Sequence, residues 1–191
     1  MLDEDVLDLT VRGGPLEGLA LVVEDVLAEV AEVVGFVVVA VVDVPSQAYG
    51  RREEAYGIHQ ALAGAVDAYA RARLAGHAVI GLLVGKAMSG AFLAHGYQAQ
   101  RIIALRDPGV MVHAMGQAAA ARITLRSVEE LEALAESVPP MAYDIDNYAT
   151  LGLLWETIAV DSIEQPSADD LARVRDCLAK AVADIGGSSD L

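Results

Sequence analysis

The sequence predicts an α/β fold built on a parallel sheet, and three observations lead there. Apolar runs of strand length alternate with segments of helical period. Those runs have no polar alternate face, as expected of strands buried on both sides. Hydrophobic residues make up 54% of the chain but aromatic ones only 5%, so aliphatic side chains must fill the core. At 191 residues, with no internal repeat, low-complexity tract or dividing linker, one domain over 1–191 is expected.

In chain order, residues 1–14 are acidic and irregular, with at most a short strand in Val6–Val11. Pro15 to Val34 reads as a helix. Leu16, Leu19, Val23, Val26, Leu27, Val30 and Val33 keep helical spacing, Pro15 suits a first helical position and Gly35 stops the run. Phe36–Val44 is a β-branched strand. It ends in the polar loop Asp43-Val44-Pro45-Ser46-Gln47, and a helix follows from about Arg52 to Ala75, closed by Gly76. Ala78–Val84 is the next strand. A turn at Gly85 leads into a helix over Met88–Tyr97. Arg101–Leu105 is a strand, Asp107-Pro108-Gly109 a turn by composition, and Val110–His113 a short strand. Helices are expected from Met115 to Arg122, after the capping box Ser127-Val128-Glu129-Glu130, and over Asp146–Ile158, which carries Trp155. Pro139-Pro140 breaks the second of these. Pro166-Ser167-Ala168-Asp169-Asp170 caps a last amphipathic helix to about Ile185, and 186–191 is expected to fray. Glu129, Glu130, Asp169 and Asp170 read as solvated helix starts.

The formal net charge of −15 argues against nucleic acid and against an anionic membrane surface. An anionic ligand would need a local cationic or amide-lined site. A single cysteine, Cys177, excludes an intramolecular disulfide and a cysteine-based metal cluster, and it reads as core. No signal peptide or membrane-spanning stretch is apparent, so a cytoplasmic setting is expected.

In parallel α/β sheets the loops at the strand carboxyl ends gather on one edge, where ligands bind. Three such loops are expected here: Pro45–Gly50, Gly85–Ser89 and Asp107–Gly109. Around the second, Gly85, Ser89, Gly90 and Ala91 permit close backbone approach, and a helix start leaves amides without intrahelical partners. The first loop offers further amides at Ser46 and Gln47. Two amides converging on one oxygen would form an oxyanion hole.

Lys86, one of only two lysines, would stand beside a bound carboxylate or phosphate, or else be a solvated lysine on a turn. His59, one helical turn from Tyr56, and His113, at a strand end, read as structural histidines or as groups facing the cleft. His77 reads as structural. The four histidines have no metal-ligand spacing, so no metal site is expected. The Gly-x-Ser-x-Gly elbow is not present, which argues against a serine nucleophile.

Long stretches of these loops closely resemble one family. They are Asp43-Val-Pro-Ser-Gln-Ala-Tyr-Gly-Arg-Arg-Glu-Glu-Ala-Tyr-Gly-Ile-His-Gln-Ala, Val84-Gly-Lys-Ala-Met-Ser-Gly-Ala-Phe-Leu-Ala-His-Gly-Tyr-Gln-Ala, Asp107-Pro-Gly-Val-Met-Val-His-Ala-Met-Gly and Pro139-Pro-Met-Ala-Tyr-Asp-Ile-Asp. From about Leu16 to about Ala183 the chain resembles the gamma subunit of biotin-independent malonate decarboxylase. More distantly, Asp43-Val-Pro and Gly85–Ala91 look like loops of acyl-CoA carboxylase carboxyltransferase subunits.

The resemblance implies a crotonase-like (ClpP-like) ββα spiral, and the chain is expected to depart from the family in a shortened N-terminal part, 1–15. It implies a homologous beta subunit as partner. The pair would decarboxylate a malonyl thioester borne on an acyl carrier protein (delta subunit), with an acyl carrier transferase (alpha subunit) in the larger complex. The carrier's arm would be phosphopantetheine-type, derived from dephospho-CoA, and neither metal nor biotin would be needed.

By position in that fold, one oxyanion donor falls on the Gly90 N–H and another near Ser46 or Gln47, with Ser89 beside them. Gly85, Lys86, Ala87, Met88, Ala91, Tyr56, His59 and His113 would line the substrate. Two other readings stand beside this one. The first is a non-catalytic scaffold that completes the beta subunit's pocket and docks the carrier. The second is a stand-alone acyl-CoA hydratase or hydrolase, which the lack of an acidic pair near the glycine turn disfavours.

Overall fold

The computed structural model describes residues 37–48 and 50–187. The expected helix over Pro15–Val34, the short strand in Val6–Val11, and Phe36, Tyr49 and 188–191 lie outside the described residues. Among the described residues the sheet has five strands. Strand β1 (Val37–Val44) pairs in parallel with β2 (Ala78–Met88), β2 with β3 (Arg101–Arg106), and β3 with β5 (Glu156–Ala159). The short β4 (Met111–His113) pairs in parallel with the far end of β2. The three strands with the long apolar runs are therefore consecutive neighbours, with β1 at one end of the order among the described residues.

Between β1 and β2 lie helices α1 (Arg51–Ala55) and α2 (Ile58–Leu74). Sequence predicts one helix here. It breaks at Gly57, whose left-handed backbone (φ 79°) only glycine adopts without strain. After β2 come α3 (Ser89–Ala94), then β3, β4, α4 (Gln117–Thr124) and α5 (Val128–Ala135). A 3₁₀ turn (Pro139–Met141), α6 (Ile145–Ala149), β5 and α7 (Ala168–Gly187) complete the described chain. Ile80, Leu82, Leu83, Ile103 and Leu105 of the sheet pack with Val174, Leu178 and Val182 of α7 in one core. Cys177 is buried in it, and burial pushes its thiol up to about 11, so it is an inert apolar group.

Three expectations need correction. The chain does not turn at Gly85: β2 runs on to Met88, and α3 begins only at Ser89. The reason is a bulge. Val42 faces Leu83, but two residues later Val44 faces Ala87, so β2 carries extra residues around Gly85. There β2 leaves β3, whose last partner is Leu83, and takes up β4, whose first is Lys86. The Asp43 carboxylate fills the bulge and accepts the Lys86 N–H at 2.9 Å. A Cβ on Gly85 would sit 2.3 Å from its Oδ1.

Secondly, Asp146–Ile158 is not one helix. It stops at Ala149, turns through Gly152 (φ 73°), and Trp155 leads into β5, its N–H donating to the Ile102 carbonyl. Pairing with β3 decides the conformation there. Thirdly, Asp170 is not solvated but 1% exposed. Its Oδ2 accepts the N–H and hydroxyl of Ser167, its Oδ1 accepts the Asp161 N–H, and Arg173 bonds it from the surface. With Ser167 Oγ accepting the Asp170 N–H, this is a capping box that also ties the β5–α7 loop to the helix. The capping box expected at Ser127 and Glu130 is formed.

Two outcomes follow from these contacts. Gly85→Ala places a methyl group inside the Asp43 carboxylate and should cost roughly 1–3 kcal/mol. In urea denaturation Asp43→Ala/Gly85→Ala should be less destabilised than the sum of the two single variants, because removing Asp43 also removes the clash. Additive behaviour would mean that the two residues do not meet. For Asp170, the Ser167 amide above all holds its carboxyl well below the usual carboxylate range, against the opposing effect of desolvation, with the Ser167 hydroxyl, Asp161 amide and Arg173 adding to it. A depressed folded-state value stabilises fully above the ordinary carboxylate pKa of about 4 and is lost as pH falls through the folded value. Asp170→Asn should therefore melt below wild type at neutral pH, with the two curves converging in acid.

Candidate functional site

The bulge brings two loops together at the carboxyl edge of the sheet. Met88 is the last β2 residue, and Ser89 follows with a left-handed backbone (φ 62°), rare for a residue with a side chain. Its hydroxyl donates to the Ala114 carbonyl at 3.1 Å, fixing the start of α3 against the end of β4. Among the described residues no side chain caps α3, so its first amides have no intrahelical or side-chain capping acceptor there. On the other side is the loop after β1. A Cβ on Gly90 would lie 3.5 Å from Gln47 Oε1, an ordinary contact. That Oε1 is a buried acceptor without a hydrogen-bond partner among the described residues. The Ser46 hydroxyl donates to the Gln47 carbonyl at 2.8 Å. Ser46, Gln47, Ser89 and Gly90 are thus brought together, with half-buried Gly85 and Ala91 at either end of the β2–α3 junction.

The other candidates divide. Lys86 is exposed, its main chain held by Asp43. Ala87 and Met88 have buried side chains, at 0% and 3% exposure, which leaves only their main chain to face a substrate, and Ala87 is paired with Val44 on one side and Val112 on the other. Tyr56 and His59 do not share one helical face, because Gly57 separates α1 from α2. Tyr56 is 79% exposed, with the Arg52 guanidinium over its ring, and His59 is exposed.

His113 is register-paired with Met88 and so borders the site. Its ring stacks on Tyr143 at 4.0 Å, and the Tyr143 hydroxyl donates to the Met115 carbonyl. Burial lowers the His113 pKa, against the opposing hydrogen bond to Met115, which favours a neutral ring at neutral pH.

His95 is a site-supporting residue that sequence reading missed. A carbonyl can only accept, so His95 Nε2 carries the proton and donates to the Val41 carbonyl at 3.0 Å. Its Nδ1 then accepts the Tyr69 hydroxyl at 2.7 Å. This chain of bonds clamps the end of α3 to both α2 and β1. Its spacing of 26 residues from Tyr69 carries no local signature.

Two cavities lie away from this junction. One of about 320 Å³ backs onto Tyr143, between Leu131, Met141 and Met111; another of about 350 Å³ lies between Arg101, Trp155 and Asp184. Among the described residues no group of three or more His, Cys, Asp or Glu side chains is placed to hold a metal ion, and no helix is long and apolar enough to cross a membrane.

Comparison with known proteins adds the following. The family model described as malonate decarboxylase gamma subunit matches residues 12–191. The malonyl-S-ACP:biotin-protein carboxyltransferase MADD of Malonomonas rubra is 32% identical over 149 residues, which are 78% of this chain and 48% of that protein. The chain thus spans about half the length of the curated relative it matches. Two crystal structures of a Pseudomonas malonate decarboxylase are similar, each with a TM-score of 0.78. The hetero-tetramer in complex with coenzyme A is 73% identical, covering 93% of this chain and 69% of that one. The MdcD–MdcE hetero-dimer is 71% identical, covering 94% and 71%. Transcarboxylase 12S, at 21% identity and a TM-score of 0.58 over 80% of this chain and 28% of that one, shares the crotonase-like fold.

The clamp on α3 gives a testable outcome. Tyr69→Phe removes the hydroxyl donor and should cost about 1 kcal/mol. In nitrogen NMR of the wild type, His95 should appear as the Nε2–H tautomer. A protonated Nδ1 with a bare Nε2 would overturn the assignment.

Proposed function

The chain belongs to the malonate decarboxylase gamma subunit family, and from that membership we propose that it acts with a homologous beta subunit to decarboxylate a malonyl thioester carried on an acyl carrier protein. The observation that carries the reading at the level of residues is the meeting of Gly90 with Gln47 beside the strained Ser89. In the reaction, the bond between the carboxylate carbon and the α-carbon breaks and CO2 leaves. Its electron pair passes into the thioester, whose oxygen becomes an enolate oxygen. One proton then adds to the α-carbon and gives the acetyl thioester.

The charge that develops on that oxygen is what a catalyst must stabilise, and preorganised amides do so without reorganising. The Gly90 N–H is one donor, and a first-loop amide at Ser46 or Gln47 is the second. Half-buried Gly85, Ser89, Gly90 and Ala91 let the thioester approach main chain rather than side chain. Lys86, exposed beside it, draws the malonyl carboxylate toward the site. No metal or biotin takes part, and the thioester rides on a phosphopantetheine-type arm. Delivery by the delta subunit and loading by the alpha subunit complete the cycle in the cytoplasm.

One observation favours the scaffold reading as second. The two described cavities are lined by neither Ser46, Gln47 nor any residue from Gly85 to Ala91. A partner must complete the site on either reading. The stand-alone hydratase or hydrolase is less well supported, since Asp43 is committed to the Lys86 amide and Asp144 to capping α6.

Gly90→Val decides between the first two. Its Cβ has room, so the fold and beta-subunit binding should survive, while the added methyl groups crowd the amide. Decarboxylation by the beta–gamma complex should fall about 10²-fold or more, the scale of losing one oxyanion donor. Lys86→Ala should raise KM for the malonyl substrate more than it lowers kcat. A folded, beta-bound Gly90→Val that turns over at the wild-type rate would give the hole to the beta subunit and put the scaffold reading first.

A further inference from the structure

The Gln47 side chain has no hydrogen-bond partner for either end of its carboxamide among the described residues. Its Oε1 is buried and accepts no hydrogen bond, and no described group bonds its nitrogen. An unpaired buried polar group costs stability, and such groups persist where function uses them. The surrounding main chain is anchored. Ser46 donates its hydroxyl to the Gln47 carbonyl at 2.8 Å, and Asp43 near the end of β1 accepts the Lys86 N–H. The missing bond therefore belongs to this one side chain and not to an unanchored loop.

Its place is set against the start of α3. A Cβ on Gly90 would lie 3.5 Å from Gln47 Oε1, 3.7 Å from Gln47 Cδ and 3.7 Å from Leu62 Cδ1. The carboxamide and an apolar methyl group thus stand over the same glycine. The Gly90 nitrogen is roughly 2.5 Å from that Cβ position by covalent geometry, so the inner end of the carboxamide lies within about 6 Å of it. One oxygen that accepts bonds of about 2.7–3.2 Å from two donors spans such a separation. The oxygen and nitrogen of a carboxamide exchange places when its last torsion, a broad two-fold one, turns by half a circle. With neither end bonded, that turn breaks no hydrogen bond here.

We propose that the Gln47 carboxamide is a catalytic residue of the reaction proposed above, on which this inference rests: with its nitrogen turned inward, it donates to the thioester oxygen alongside the Gly90 N–H. As CO2 leaves, the electron pair passes to that oxygen, and the carboxamide holds it by a hydrogen bond without giving up its own proton. Leu62 makes one wall of the spot apolar, and a donor in apolar surroundings gains more from a developing charge than one in water. The side chain is a donor separate from the Ser46 and Gln47 main-chain amides, which a Gln47→Met substitution retains.

The test uses the assembled beta–gamma complex with Gln47→Met, which keeps the length and removes both polar atoms, and Gln47→Glu, which keeps the shape and removes the donor. With the malonyl thioester of N-acetylcysteamine, Gln47→Met should lower kcat about 10²-fold and leave KM within about twofold, the pattern of a contact made in the transition state. Its Tm should stay at or above that of the wild type, because a buried unpaired acceptor is gone. Gln47→Glu should lose at least as much activity. A readout that needs no turnover is the infrared carbonyl band of acetyl-CoA labelled with carbon-13 at the thioester carbonyl. A donor to the oxygen lowers that frequency, so the band should lie higher on Gln47→Met than on the wild type. An unchanged kcat would overturn the proposal, and so would a loss of kcat that tracks a fall in Tm in both variants with the band unmoved. A raised KM with kcat and the band unmoved would overturn it too, and would give Oε1 to an N–H of the carrier arm. If the wild-type complex decarboxylates no malonyl thioester, the proposed function fails on its own, and the band decides. No difference between variant and wild type, or no binding of the label to the wild type, then overturns Gln47 as a donor.

Discussion

The carboxylate of Asp43, seated in the β2 bulge, is the contact on which the rest of the edge depends. It sits where β2 departs from a regular strand between β1 and β3 and accepts the Lys86 N–H there. At that point β2 gains the residues around Gly85, drops β3 after Leu83 and accepts β4 from Lys86 onward. Everything later in the edge is measured from that point. Met88 ends the strand against His113, Ser89 grips Ala114, and Gly90 arrives beside Gln47. A single side chain thus braces the bulge that precedes one helix. It can do so because a bulge offers an unpaired amide, which a buried or half-buried fold must satisfy.

The short helix α3 would fray if left to its own hydrogen bonds, since one and a half turns hardly recover the cost of nucleation. It is held at both ends instead. Ser89 fixes its start, and His95, just past its end, reaches Val41 on one strand and Tyr69 on the longest helix of that layer. A helix held in this way keeps its first amides aimed in a fixed direction. That is the requirement for amides that stabilise charge only as it develops.

Local signals were legible and partner-dependent ones were not. Phe36–Val44 and Ala78–Val84 announce strands because β-branched and aliphatic runs favour no other buried state, and Ser127 with Glu130 announces a helix start four residues long. Gly85 misled because Gly-Lys-Ala-Met-Ser-Gly has the look of a turn into a helix. The strand continues only because β4 is there to pair with it, and β4 lies some two dozen residues on. Trp155 misled for the same reason, since β3 draws it out of helix. Asp170 looks like any acidic first turn until the β5–α7 loop folds over it. The resemblance names Gly90 and Gln47 as candidate donors, and the structure places the two loops that carry them side by side. Ala87 and Met88 lie within the same stretch of sequence, but the strand turns their side chains into the core.

A reaction that loses CO2 moves negative charge, and this bears on why such a site is built from amides. The substrate's charge begins on a carboxylate and ends on the thioester oxygen. A buried cation gripping the carboxylate would stabilise the ground state more than the transition state and slow the step. The chain's cations fit that constraint on the proposed reading. Lys86 stands exposed, where water and salt weaken its hold, so it attracts the carboxylate without retaining it. The oxygen that gains charge would meet uncharged N–H groups beside an acidic protein's main chain. Neutral donors fixed by a bulge and a clamped helix strengthen as that charge grows, and they do not oppose its departure from the carboxylate.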